Sequence, residues 1–304
     1  MTKLTVSRPV DFNDYWAAVS EELASTPASP EIEAIPIRKT DFATLYGVRL
    51  SSIGPYRLYG YLSIPKGRGP FPALYWTPKY GSVLEVIPQG TENDVRSRFV
   101  TFSLAGRGQR NSDQPFAAMF PGLLTVNIDS KDSYVFRGIV ADSIRGLEFV
   151  STVPEVDSSP IVVIGNDVAL QAVALVGKAS HVVSAPALFF ETLASATRTE
   201  SYPLEEINDY LRLHPSRNEQ VAQTLSYFDL RSFAPLVNAN ALFMAGPAGS
   251  SLGPEALGDL ASSIPGGADI YASQQSSYKD GLHQEQWIAS KLGFDGPIVP
   301  AHWR

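Results

Sequence analysis

The decapeptide IVVIGNDVAL, residues 161–170, constrains the fold of this chain more than any other stretch. Its first four residues are apolar and β-branched and read as a short buried strand. Gly165, Asn166 and Asp167 then turn the chain sharply, and the apolar run 168–176 reads as a buried helix. Small residues stand two places before and two places after Asp167, as Gly165 and Ala169. A strand that turns this tightly into a helix presents the central side chain at the carboxyl edge of a sheet, where open α/β folds bind their ligands. Asp167 is therefore the first candidate functional residue.

The rest of the chain supplies the sheet around it. Residues 11–23 predict an amphipathic helix with Phe12, Trp16, Val19 and Leu23 on one face. Residues 56–64 alternate as a strand, and 73–76, 99–104, 161–164, 182–185, 241–245 and 270–272 read as further strands. Residues 136–150 predict a helix, and a closing helix is expected over about 285–292. Strands alternating with helices imply an α/β chain with a mainly parallel sheet covered by helices on both faces. The expected organisation is one domain over 1–304, with a helical N-terminal extension over 1–40. An inserted segment over about 189–229 interrupts the alternation with polar, Pro-containing helical sequence.

Charge and composition exclude several classes. Lys and Arg number 24 against 31 Asp and Glu, and no basic block occurs. Clustered phosphate contacts are thus absent, and nucleic acid is not an expected partner. The chain has no cysteine, which rules out disulfides, thiolate metal sites and a thiol nucleophile. Gly106-Arg107-Gly108 lacks the Lys-Ser/Thr of a phosphate loop, and no His, Asp and Glu spacing suggests a metal, so neither cofactor nor metal is expected. No apolar run reaches membrane-spanning length and no leader-like apolar stretch opens the chain, so the expectation is a cytoplasmic protein without membrane contact.

Several separated motifs carry a family resemblance. AGRGQRNSD (105–113), the stretch SKDSYVFRG that leads into the helix before the decapeptide (130–138), and TLSYFDL (224–230) occur in this order after the helix DFNDYWAAVSEEL (11–23). Together they resemble the acetyl xylan esterase/cephalosporin C deacetylase family. The resemblance covers nearly the whole chain. It implies an α/β-hydrolase fold with an N-terminal extension, an insertion that mediates homo-oligomer formation, possible hexamers among them, and deacetylation of small esters or acetylated sugars.

Against that resemblance the expected catalytic positions differ. The family's Gly-x-Ser-Gln-Gly-Gly reads Gly165-Asn166-Asp167-Val168-Ala169-Leu170 here, so Asp167 takes the nucleophile's place and Val168 that of a Gln. The triad acid aligns near Gly249, and no acid occurs between Asn238 and Pro254. The triad histidine aligns at Ser276-Ser277. The oxyanion loop His-Gly-Tyr becomes Pro78-Lys79-Tyr80. Serine-ester chemistry needs nucleophile, base and acid together, so its loss is expected.

Three readings of Asp167 stay open. As a general acid or base with Tyr80 it would drive elimination, isomerisation or cyclisation of a small carbonyl compound, and a desolvated carboxyl suits that role. As a nucleophile it would need a water-activating base, for which His283, about seven residues beyond the aligned position, is the candidate. Lys79 and Val168 are then candidate substrate-binding residues for a small molecule. In the third reading the site is non-catalytic: Asp tolerates the positive φ common at such turns, and the protein is a ligand binder or scaffold. Arg107 and Asp113 are expected to hold the loop beside the turn.

Overall fold

The computed structural model describes residues 7–81, 84 and 94–294. In chain order its elements are α1 (Phe12–Ser25), β1 (Glu31–Ala34), β2 (Ala43–Ser51), β3 (Arg57–Pro65), β4 (Phe71–Trp76), α2 (Asp94–Arg98), β5 (Val100–Ala105) and α3 (Val135–Val150). Then come β6 (Val156–Gly165), α4 (Asp167–Val176), β7 (His181–Ser184), α5 (Thr192–Ala196), α6 (Glu205–Leu213), α7 (Asn218–Ser226) and α8 (Leu230–Phe233). The chain continues through β8 (Asn240–Ala245), α9 (Pro254–Ser262), β9 (Ala268–Ala272) and α10 (Ser277–Leu292).

One nine-stranded sheet has the order β1-β2-β3-β5-β4-β6-β7-β8-β9. The first three strands form an antiparallel meander that joins β5 antiparallel, and from β5 to β9 every neighbour is parallel. The mainly parallel sheet is as the sequence predicts. The segment 1–40 departs from the helical expectation, because β1 forms there as an edge strand. All four β1 residues are exposed, so it has no buried face and leaves no alternating pattern to read.

Strand pleating sorts the core. Ala73, Tyr75, Ile161, Val163, Ala241 and Phe243 point to one side, into the larger apolar cluster with α1, α3, α4, α8 and α9. Their alternates Leu74, Val162, Ile164, Val183 and Leu242 point to the other side, where Trp287 and Ile288 of α10 cover them. Both faces of the parallel strands are thus buried, as their near-continuous apolar sequence requires.

Three of the motifs meet on one patch. Trp16 Nε1 of α1 donates to the Tyr227 carbonyl at 3.0 Å. Lys131 bridges Asp11 Oδ2 and the Tyr227 hydroxyl at 2.9 Å each, with its ammonium 4.3 Å from the Tyr227 ring centroid. Gln171 of α4 donates to the Phe228 carbonyl at 2.8 Å, so TLSYFDL clamps α1 to the helix that follows the turn. Asp229 caps α8 by accepting from Arg231 N–H. Inside the inserted segment the chain is helical, as α5, α6 and α7. Among the described residues no helix is long and apolar enough to cross a membrane.

Candidate functional site

The strand-to-helix turn is packed tightly by its small residues. A Cβ on Gly165 would lie 2.0 Å from Thr77 Oγ1 and 3.2 Å from the Ala169 Cβ, so close approach requires glycine at this position. No residue of the turn takes a positive φ. Asn166 has φ −94° and ψ −145°, and Asp167 is the first residue of α4 with no positive φ. The tolerance of Asp for left-handed backbone therefore does not explain its presence.

Hydrogen bonding explains it. The Asp167 carboxylate is fully buried. Its Oδ2 accepts the N–H of Ala187 at 2.9 Å and of Leu188 at 3.1 Å, and its Oδ1 accepts Leu188 N–H at 3.1 Å and Phe189 N–H at 2.8 Å. Three consecutive amides of the loop after β7 thus end on one side chain. Burial pushes the Asp167 carboxyl above its ordinary value, and the N–H groups of Phe189, Ala187 and Leu188 pull against that shift. Beside it, Asn166 Nδ2 donates to the Ala185 carbonyl at 2.9 Å, and Ser184 Oγ donates to the Asn166 carbonyl. The turn and the loop are stitched together from both sides.

The opposite wall is the 105–113 motif. Arg107 grips Asp142 of α3 with Nε at 3.0 Å and Nη2 at 2.7 Å, while its own backbone N–H donates to the same carboxylate at 2.9 Å. The Tyr56 ring stacks 4.2 Å from the guanidinium. Gly138 leaves the room this needs, since a Cβ there would stand 2.1 Å from Arg107 Nη1. Gln109 accepts from Gly106 N–H and donates to the Lys79 carbonyl, both at 2.8 Å, fixing the 78–80 loop. Arg107 and Gln109 therefore position backbone. Asp113 makes no such bond among the described residues. Ser112, whose role has no signature in the sequence, ties the loop to β3 and β5 by donating to the Ala105 carbonyl and accepting from Tyr59 N–H.

Asp167, Val168, Lys79 and Tyr80 line one narrow cavity with Leu123, Phe136 and Leu188. The space left for solvent is about 20 Å³, room for about one water. The Tyr80 ring meets Phe120 edge-on at 5.4 Å, and its buried hydroxyl has no hydrogen-bond partner among the described residues. His283 does not join this group. It lies on α10, stacked on Tyr271 of β9 at 3.9 Å, and lines neither this cavity nor the groove on the far side of Asn166. His181 bonds Ser180 and packs on Trp287, His214 packs on Tyr210, and His302 lies outside the described residues. Gly249 takes a positive φ in the loop after β8, and Ser276 caps α10. Among the described residues no group of three or more His, Asp or Glu gathers as metal ligands would.

Comparison with known proteins gives consistent likenesses. The model of the acetyl xylan esterase (AXE1) family matches residues 3–254. Acetyl esterase Axe7A of Xylanibacter ruminicola is 22% identical over 247 residues, 77% of this chain and 55% of that protein. The chain thus spans about half the length of that curated relative. Acetyl xylan esterase 1 from Thermoanaerobacterium sp. JW/SL YS485 superposes with a TM-score of 0.80 at 22% identity, covering 94% of this chain and 95% of that one. The acetyl xylan esterase from Paenibacillus sp. R4 gives 0.79 at 21% identity over 95% and 96% of the two chains. The fold is that of an α/β-hydrolase.

Asp167→Asn tests the bonding directly. Each carboxylate oxygen accepts from at least one amide, so neither orientation of the Asn side chain avoids setting an NH2 donor against a backbone N–H. Urea unfolding is expected to show a loss of about 1–3 kcal/mol, the usual cost of an unsatisfied buried donor. A variant as stable as the parent would contradict the assignment.

Proposed function

This chain belongs to the acetyl xylan esterase (AXE1) family, and we propose that it is a member without serine esterase chemistry, acting as a small-molecule binder or scaffold. The observation that carries this reading is the Asp167 carboxylate. Fully buried and holding three backbone amides, it has the bonding of a structural pin. A general acid or base must reach the proton it moves within about 2.6–3.2 Å, and here both oxygens are already engaged. An Asp nucleophile would need a free oxygen and a base to hydrolyse its ester, and His283 stacks elsewhere on Tyr271. The narrowness of the cavity, about 20 Å³, supports the scaffold side of this reading at Asp167, since it has room for about one water. Association between copies through the segment 189–229 is part of the proposal, supported by the 77% exposure of Leu213 at the end of α6.

A second reading rests on Tyr80. If the cavity carries acid/base chemistry on a small carbonyl compound, the unpartnered Tyr80 hydroxyl is the group placed to donate to a carbonyl oxygen. A buried hydroxyl without a partner costs stability. Tyr80→Phe should therefore leave the protein as stable as the parent or raise its stability by up to about 1 kcal/mol, measured by thermal unfolding. A clear destabilisation would mean that the hydroxyl has a structural partner and would remove this reading.

Purified protein is expected to hydrolyse p-nitrophenyl acetate no faster than a non-enzymatic protein of equal lysine content. Turnover that disappears on mutating a single serine would refute the main proposal.

A further inference from the structure

A second depression opens on the other side of Asn166. The C-terminal ends of β6, β7, β8 and β9 form its floor, and the first turns of α10 form its wall. It is an open depression of about 440 Å³, and it lies at the strand ends where parallel α/β sheets bind ligands. Pro186, Ala187, Met244, Pro247 and Leu252 make most of its surface apolar. Among the described residues Asp280 supplies the only ionisable side chain in its lining.

The setting of Asp280 is specific. It accepts from Ser273 Oγ at 2.6 Å, Gln274 N–H at 3.0 Å and Tyr271 OH at 3.1 Å. Partial burial pushes its carboxyl up, but these donors outweigh that and hold it below its ordinary value, so the group is anionic at neutral pH. Among the described residues Asp280 has no ion pair with Lys, Arg or His. All three donors approach from β9 and the turn after it, and the first turn of α10 adds its N-terminal dipole, so the carboxylate is held as an anion at the edge of an apolar groove with no cationic partner among the described residues. Asn166 adds a side-chain oxygen at the other end, its Nδ2 being engaged by Ala185.

We infer that this groove binds a small alkylammonium ligand, its cationic head on Asp280 and its short apolar chain along Met244, Leu252 and Pro186. A carboxylate ligand would meet like charge at Asp280, and an uncharged chain would gain nothing from it. The inference deepens the binding reading given above. Its test reads occupancy of the groove, so it stands or falls separately from ester hydrolysis.

The probe is 1-hexylamine, protonated at neutral pH, titrated into the full chain and followed by ligand-observed NMR, with 1-hexanol and hexanoate as controls. The amine is expected to bind in the millimolar range, where −4 kcal/mol corresponds to about 1 mM, and more tightly than either control. Asp280→Asn should weaken it by up to about fivefold, as loss of a part-exposed ion pair does. That variant also loses acceptors for the turn after β9. Gly281→Phe therefore provides an independent arm: Gly281 lines the groove and a Cβ there meets nothing within 4 Å, so a ring is accommodated at the groove wall while the Asp280 bonds stay in place. It should weaken binding by about tenfold, about 1.4 kcal/mol, since the ring takes apolar surface that the alkyl chain would cover. Equal binding of hexanol or hexanoate, no binding of the amine, or unchanged affinity in Gly281→Phe would overturn the inference.

Discussion

Three neighbouring backbone N–H groups, those of Ala187, Leu188 and Phe189, converge on the fully buried Asp167 side chain. Backbone donors at such a buried group must find an acceptor, because leaving them unpaired is costly. A short side chain on the first turn of a helix that itself starts from the central sheet is a rigid place to supply one. Everything around the turn then follows from how closely it is held. Gly165 must be glycine because Thr77 sits against it, Asn166 ties to the Ala185 carbonyl, and the loop from 185 to 189 is fixed on two sides.

The same logic governs the facing loop. Arg107 and Asp142 form a buried, doubly hydrogen-bonded pair, and removing either partner of such a pair leaves a buried charge at a cost of about 3–5 kcal/mol. Gln109 then carries that rigidity to the 78–80 loop through the Lys79 carbonyl. The motif that identifies the family is thus a piece of scaffolding. It holds the walls of the site through bonds that do not involve position 167.

Much of this architecture could be read from the chain, because burial on both faces writes itself into side chains. The strand 161–164 and the helix after it are legible from Ile161, Val163 and Val173 alone. Other elements hide for physical reasons. β1 is exposed at all four positions. The alternation of β2 slips where Gly47 and Val48 are both buried. The first two turns of α10 are mostly polar and contain Gly281, so the helix shows its apolar face only from Glu285 onward. At the site, the sequence singles out Asp167, Val168, Lys79 and Tyr80, and the structure gathers them around one cavity. What could not be read is the partner of Asp167. Backbone amides donate alike from every residue but proline, so Ala187, Leu188 and Phe189 carry no side-chain trace of the bond they make. The place of His283 was equally hidden, since its stacking on Tyr271 depends on where α10 begins.

The central claim is that the Asp167 carboxylate pins the loop after β7, and amide hydrogen exchange reads that bond where it lies. In the native protein the N–H groups of Ala187, Leu188 and Phe189 should be protected to a degree comparable with the amides of β6. In Asp167→Ala they should exchange faster by about tenfold or more, while β6 keeps its protection, as expected for a local opening below the global one. Rapid exchange of these three amides in the native protein, or the same rates with and without the carboxylate, would contradict the account.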